Sequence, residues 1–150
     1  MSAAEEALAE FAAEAALAIE QLQILAGDDV ARKLDFSPAS IAVLETFVTR
    51  LRNADGWLNH LPPAARTDED AFHWLASRVA HYLAAAWRQL GGSEWYLSAD
   101  KSAPTFGTPV ILLGSKEVSP IAVAHAWLLG QIDGGLVAAF QYGASQLQTN

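Results

Sequence analysis

The C-terminal third of the chain is almost free of charge, and this feature most constrains the fold. Between positions 118 and 150, Asp133 is the single charged side chain. Lysine, arginine, aspartate and glutamate are rarely buried, so a segment that lacks them rarely covers the surface of a folded domain. We therefore expect this third either to lie at the centre of the fold or to cover a subunit interface. The second alternative would make the protein a homodimer through its C-terminal third.

The N-terminal segment has the opposite character. Residues 1–31 hold seven acidic side chains and no lysine or arginine, whereas residues 32–150 hold ten acids and nine bases, which together give the net charge of −8. No concentrated basic footprint exists, so we predict that nucleic acid is not a partner. The acidity either keeps the protein in solution or attracts a basic protein partner. On the second interpretation the contact is formed by five glutamates: Glu5, Glu6, Glu10, Glu14 and Glu20.

Length and composition predict one domain, residues 1–150, because 150 residues with 52% hydrophobic side chains can bury a core of their own. The absence of cysteine excludes a disulfide scaffold, an iron–sulfur site and a thiolate nucleophile. The first residues lack the basic and apolar regions of a signal peptide, and no stretch is long and apolar enough to span a membrane. We expect a cytoplasmic protein without a membrane partner.

Hydrophobic spacing predicts an acidic amphipathic helix over residues 3–26, packed on the domain by an apolar seam. The seam consists of Leu8, Phe11, Ala15, Ala18, Leu22 and Leu25. A second helix begins at Pro38, with Ser37 as its cap, and runs to about Asn53. A third begins at Thr67 and ends at Gly91-Gly92.

The pattern changes after the third helix. Two antiparallel strands are predicted at Glu94 to Ser98 and Pro109 to Leu113, with a third short strand near Thr105-Phe106. Ser119-Pro120 begins a helix that ends near Gly130, and Asp133 is the predicted cap of a last helix from about Gly134 to Gln146. The predicted fold is α+β and mostly helical, with about five helices and a small two- or three-stranded antiparallel sheet.

Four segments, in this order, resemble a family of small uncharacterised bacterial proteins: LDFSPASIAVLETFV, HYLAAAWRQLGGSEW, PVILLG and SPIAVAHAWLLGQIDGGLVAAF. The family has an LD-aromatic-S-x-x-S helix entry, a YLGE helix leading to GG-x-W, a strand, and a proline-started helix with G-x-x-D before the last helix. The resemblance covers roughly Leu34 to Phe140 and implies a shared fold without implying an activity. Ala84-Ala85 stand where the family has Gly-Glu, so any chemistry of that glutamate is absent here.

No catalytic or metal-binding motif is present. The four histidines, at positions 60, 73, 81 and 125, form no H-x-x-x-H pair. Neither the G-x-S-x-G motif of serine hydrolases nor a phosphate-binding P-loop occurs. We therefore predict no catalytic residue, no metal and no cofactor.

Two classes of function remain open. One is a non-enzymatic interaction protein, for example an immunity protein or antitoxin that binds a basic toxin, which the acidity and the five tryptophans favour. Trp74 and Trp87 lie off the apolar stripe of the third helix, so at least one is expected to face a partner or a second layer. The alternative is a small-ligand-binding protein or enzyme, with a pocket between the third helix and the sheet. Its candidate residues are His81, Glu94 and Trp95.

Overall fold

The structure is a computed structural model that describes residues 2–147. Its α-helices are α1 (Ala3–Ala13), α2 (Ala15–Ala26), α3 (Asp28–Ala31), α4 (Pro38–Asn53), α5 (Asp68–Gln89), α6 (Pro120–Leu128) and α7 (Gly135–Gln146). Short 3-10 helices lie at Trp57–His60 and Pro63–Ala65. The antiparallel sheet, in the order β1-β2-β3, consists of β1 (Tyr96–Leu97), β2 (Pro109–Leu113) and β3 (Lys116–Val118). The predicted mostly helical α+β class is confirmed.

The helix α5 packs more extensively against the rest of the described structure than any other element does. It begins after Thr67, whose side chain accepts a hydrogen bond from the Asp70 amide at 3.2 Å, as the capping pattern predicts. Its buried stripe lies against α2, α6 and α7. Although α5 is the longest element, neither it nor any other helix of residues 2–147 has the length and apolarity needed to cross a membrane.

The described part of the charge-poor C-terminal third, residues 118–147, has both buried and exposed side chains. Leu136 and Phe140 of α7 are buried, and the Phe140 ring stacks on Trp87 of α5 at 5.5 Å between ring centroids. The Trp87 indole donates a hydrogen bond to the Phe140 carbonyl at 3.1 Å. Trp87 therefore faces a second layer, one of the two alternatives predicted for it. Trp74 is half-buried, with the Arg78 guanidinium 4.6 Å from its ring centroid.

The N-terminal helix is divided at Glu14, so the prediction of one helix over residues 3–26 is wrong in this respect. The Glu14 amide is shared between the carbonyls of Glu10 and Phe11, each at 3.2 Å, where regular α-helix has one acceptor. The two halves differ in their main neighbours: α2 packs on α5, whereas α1 packs next to β1 and meets α5 through the Phe11 ring. The spacing of apolar residues along the sequence does not reveal the break between them.

The third strand is Lys116–Val118, not the predicted segment near Thr105-Phe106, which forms a turn. A two-residue connection between β2 and β3 is possible because Gly114 adopts a φ of +65°. The carboxylate of Glu117 in β3 accepts hydrogen bonds from Ser98 at 2.6 Å and Thr105 at 3.2 Å. Thr105 is thus held by its side chain beside the sheet rather than by a strand ladder.

The predicted cap of the last helix is also wrong. Gly134, with a φ of +81°, occupies the cap position of α7, and the Asp133 side chain makes no cap there. Instead the Leu136 amide donates a hydrogen bond to the Glu45 carboxylate of α4. A carboxylate at this end of a helix meets the positive side of the helix dipole. The cap comes from another element, which local sequence cannot indicate.

Candidate functional site

The three residues predicted for a ligand pocket line one cleft. His81 comes from α5, while Glu94 and Trp95 come from the segment that leads into β1. Ala12 and Ala15, on either side of the α1–α2 bend, form the opposite wall, and the cleft has a volume of about 280 Å³. The cleft therefore lies between α5, the α1–α2 bend and the segment before β1. The predicted position, between this helix and the sheet, is corrected accordingly.

His81 is the most unusual residue of the cleft. Its relative exposure is 1%, and neither ring nitrogen has a hydrogen-bond partner among the described residues. Phe11 stacks on the imidazole at 4.4 Å between ring centroids, and Trp95 meets it edge-on at 5.6 Å. A buried polar group without a partner costs a fold about 1–3 kcal/mol, and such groups are rare in native proteins. The position therefore calls for a physical explanation.

The same burial fixes the protonation state of His81. Burial, assisted by the nearby positive charge of Arg78, lowers the pKa of His81 to about 4. At pH 7 the side chain is therefore a neutral imidazole, which offers one hydrogen-bond donor and one acceptor. A base with a pKa this far below neutral is poorly matched to proton abstraction. The site is suited to hydrogen bonding more than to acid–base chemistry.

Charged side chains stand at the rim of the cleft. The Arg88 guanidinium and the Glu94 carboxylate form an ion pair at 2.7 Å, with side-chain exposures of 60% and 75%. The hydroxyl of Ser93 donates to the Glu94 carbonyl and accepts from the Leu112 amide of β2, both at 2.8 Å. The bond from the Leu112 amide, together with the bond from the Ser93 amide to the Leu112 carbonyl at 2.9 Å, attaches the segment before β1 to β2 and fixes the wall that carries Trp95.

The five glutamates predicted to meet a basic partner are all exposed. No ion pair involves any of them within residues 2–147. Among the described side chains of α1, none is fully buried, so this helix is attached to the fold chiefly through Leu8 and Phe11, which are half-buried. The exposure of the five glutamates agrees with the predicted solvent-facing side of the helix, and their role in binding a basic partner stays a prediction.

Two residues around His81 were not predicted: Phe11, whose ring covers the imidazole, and Arg88, which lines the cleft. Periodicity assigned Phe11 to the apolar seam but gave no indication that its ring would cover a histidine 70 positions away. Arg88 lies in the exposed last turn of α5, where a basic residue ordinarily complements the helix dipole. Only the pairing with Glu94 across the Gly91-Gly92 break shows that both belong to the rim.

Comparison of the chain with protein families, characterised proteins and solved structures finds no match. This agrees with the expectation of a family without a characterised member. The individual motifs of the resemblance stay a prediction. In the part of the chain that the structure describes, no three histidine, aspartate or glutamate side chains converge on a position for a metal ion.

Proposed function

We propose that the protein binds a small molecule in the cleft around His81. The observation that carries the proposal is the buried imidazole whose two nitrogens lack partners in the described structure. Leaving such a group unsatisfied destabilises the fold, and a ligand that supplies the missing hydrogen bond accounts for its presence. His81 lines the cleft with both ring nitrogens closed to solvent, so the Phe11 or Trp95 ring must move before a ligand reaches them.

The lining indicates the kind of ligand. The space of about 280 Å³ is at the lower end of small-molecule sites, so the ligand is no larger than a one- or two-ring compound. Four alanines and Trp95 offer apolar walls that suit a flat ring. Neutral His81 requires a group such as an amide, which can donate or accept a hydrogen bond. A charged substituent would meet Arg88 or Glu94 at the rim.

Binding is favoured over catalysis. With a pKa of about 4, His81 has little driving force to take a proton at neutral pH. The rim carboxylate of Glu94 is already engaged with Arg88 and is exposed to water, so it lacks the shielded setting of a catalytic acid. A binding protein without its own reaction therefore explains the arrangement with fewer requirements than an enzyme does.

Nuclear magnetic resonance with a panel of one-ring aromatic amides, benzamide included, tests the proposal. We expect some members to shift the Trp95 indole and His81 ring resonances together, and His81→Phe to abolish the Trp95 shift. His60→Phe is the matched control, because His60 is exposed on a 3-10 helix and does not line this cleft. Shifts that survive in His81→Phe, or a panel without any binder at millimolar concentration, would contradict the proposal.

A second function is supported by the exposure of the five glutamates, which have no ion-pair partners among the described residues. We propose that they attract a basic protein, as in an immunity protein or antitoxin. Glutamate-to-glutamine substitution at all five positions preserves size and removes charge. A partner captured from cell extract at low salt should be lost at high salt and by the substituted protein. Equal capture of the partner by the parent protein and by the variant with five glutamines would contradict this interpretation.

The proposed setting is the cytoplasm, without nucleic acid as a partner, and the proposed assembly is a homodimer through the C-terminal third. The exposed apolar side chains Leu129 and Tyr142, 59% and 57% accessible, support the assembly. Light scattering should report twice the monomer mass, and Leu129→Lys should reduce it. A monomer mass at high protein concentration would rule the dimer out.

A further inference from the structure

Two histidines that are far apart in the sequence lie side by side on the surface. His73 belongs to α5 and His125 to α6, and their ring centroids are 5.4 Å apart with the planes tilted by 45°. Phe72 meets both rings edge-on, at 5.6 Å from His73 and 5.1 Å from His125. No hydrogen bond within residues 2–147 involves either imidazole. The pair is therefore held in place by packing, with its ring nitrogens uncommitted.

We propose that His73 and His125 form a two-histidine binding site for a divalent transition-metal ion such as Zn²⁺. Zinc binds imidazole nitrogen at about 2.0–2.1 Å with a roughly tetrahedral arrangement, which puts the centroids of two ligating rings about 5 Å apart. The observed 5.4 Å lies close to that separation. Stacked rings could not converge on one ion, and these rings are tilted rather than stacked.

Access to the pair comes from the side of His73, because His125 is half-buried. His73 is exposed, so a hydrated ion has direct access. Because no third histidine or carboxylate converges here in the described structure, water or a group of a bound molecule completes the coordination. Such an open site exchanges its metal rather than storing it.

Calorimetric titration with zinc chloride near neutral pH tests the proposal on the whole protein. We expect one Zn²⁺ per chain, and His73→Ala or His125→Gln to weaken binding by roughly tenfold or more, since even outer-shell changes weaken metal sites by that factor. Cu²⁺ should bind more tightly than Zn²⁺. His60→Ala, which removes an exposed histidine elsewhere, should bind like the parent protein.

Circular dichroism of each variant shows whether the fold is kept, and His73 is exposed enough for its substitution to leave the core intact. The proposal is overturned if a folded double variant binds Zn²⁺ as the parent does. It is also overturned if His60→Ala loses binding equally, which would indicate nonspecific uptake by histidines. Failure of the parent protein to bind Zn²⁺ at about millimolar concentration would be equally decisive.

Discussion

His81 occupies a buried position that destabilises the folded state. Its ring is enclosed by Phe11 and Trp95, yet its nitrogens have no protein partner in the described structure. An apolar ring at the same position keeps the stacking and removes the unsatisfied polar atoms. We therefore predict that His81→Phe raises the free energy of unfolding at pH 7 by about 1–2 kcal/mol, measured by urea denaturation.

The same substitution has a pH signature with a definite sign. Because the pKa of His81 falls from 6.5 in the unfolded chain to about 4 in the fold, the unfolded state binds more protons between these values. Stability from this residue is complete above pH 6.5 and is lost as the pH falls towards 4, by up to about 3 kcal/mol. The advantage of His81→Phe should therefore widen on acidification. An advantage that is constant from pH 7 to pH 4.5 would contradict the prediction.

Tyr82 gives a second prediction at the scale of the residue. Its hydroxyl accepts a hydrogen bond from the Phe36 amide at 3.0 Å and meets the Ser40 hydroxyl at 2.7 Å. Ser40 in turn donates to the Ser37 carbonyl at 2.6 Å, so all three donors have acceptors when Tyr82 donates to Ser40. Phe36 has a φ of +65°, rare for a residue other than glycine, and the tyrosine holds it there.

We predict that Tyr82→Phe lowers the free energy of unfolding by about 1–3 kcal/mol, because the Phe36 amide loses its acceptor and the Ser40 oxygen loses its donor, while Ser40 keeps its own bond to the Ser37 carbonyl. Denaturation monitored by circular dichroism provides the measurement. Tyr142→Phe is the control, since Tyr142 is 57% exposed. An equal loss in both variants would show that the buried network adds nothing. The LDFSPAS segment supplies the partners of Tyr82 in this network: the Phe36 amide, the Ser40 hydroxyl and, through Ser40, the Ser37 carbonyl.

At the scale of the element, α5 and α7 are joined at a position where only glycine fits. A Cβ atom built on Gly143 would lie 2.7–2.8 Å from atoms of the Trp87 indole, which is itself fully buried. In an exposed helix, glycine-to-alanine substitution stabilises by about 1 kcal/mol. Here the added methyl must displace a packed tryptophan, and overpacking of this kind costs about 1–3 kcal/mol.

We therefore predict that Gly143→Ala destabilises the protein by about 1–3 kcal/mol, the opposite sign from helix propensity alone. Near-ultraviolet circular dichroism should also change, because the environment of Trp87 is disturbed. Gln141→Ala in the same helix is exposed and should leave both quantities nearly unchanged. A more stable Gly143→Ala variant would mean that α7 can move away from Trp87 without cost.

Elements whose ends depend on local chemistry were predictable. The beginnings of α4, α5 and α6 follow from Ser37, Thr67 and Ser119, each of which caps the next turn through its own side chain. The break at Glu14 and the cap at Glu45 were not predictable, because each depends on an element distant in the sequence. The break at Glu14 goes with different main neighbours for α1 and α2, and the cap depends on Glu45 of α4 lying next to the first turn of α7.

At the scale of the whole molecule, the lack of charge in the C-terminal third predicted part of its packing. Helix α6 packs on α5 and α7 packs on Trp87, whereas Leu129 and Tyr142 are exposed, so the alternative of a subunit interface stays a prediction. The candidate cleft was predictable in part: His81, Glu94 and Trp95 do line one cavity. Its other wall was not, since the sequence does not say where the bent N-terminal helix lies. The sequence did not indicate that His73 and His125 are neighbours, because 52 positions separate them.

The N-terminal helix α1 has no completely buried side chain among its described residues, and its attachment can be tested. Phe11 is the side chain by which α1 covers His81, with 4.4 Å between the rings. Because burial is the main cause of the lowered pKa of His81, removing that ring should admit water and let the pKa rise from about 4 towards its ordinary value. We predict this rise for Phe11→Ala, followed through the His81 ring resonances during a pH titration.

The stability of Phe11→Ala should fall only modestly, since no described side chain of α1, Phe11 included, is completely buried. Ile24→Ala is the control, because Ile24 is 73% exposed and lies on α2 away from the cleft. If the pKa of His81 stays near 4 in Phe11→Ala, other walls must exclude water from the imidazole. In that case α1 would not be the cover of the site, and access for a ligand would have to come from the side of Arg88 and Glu94.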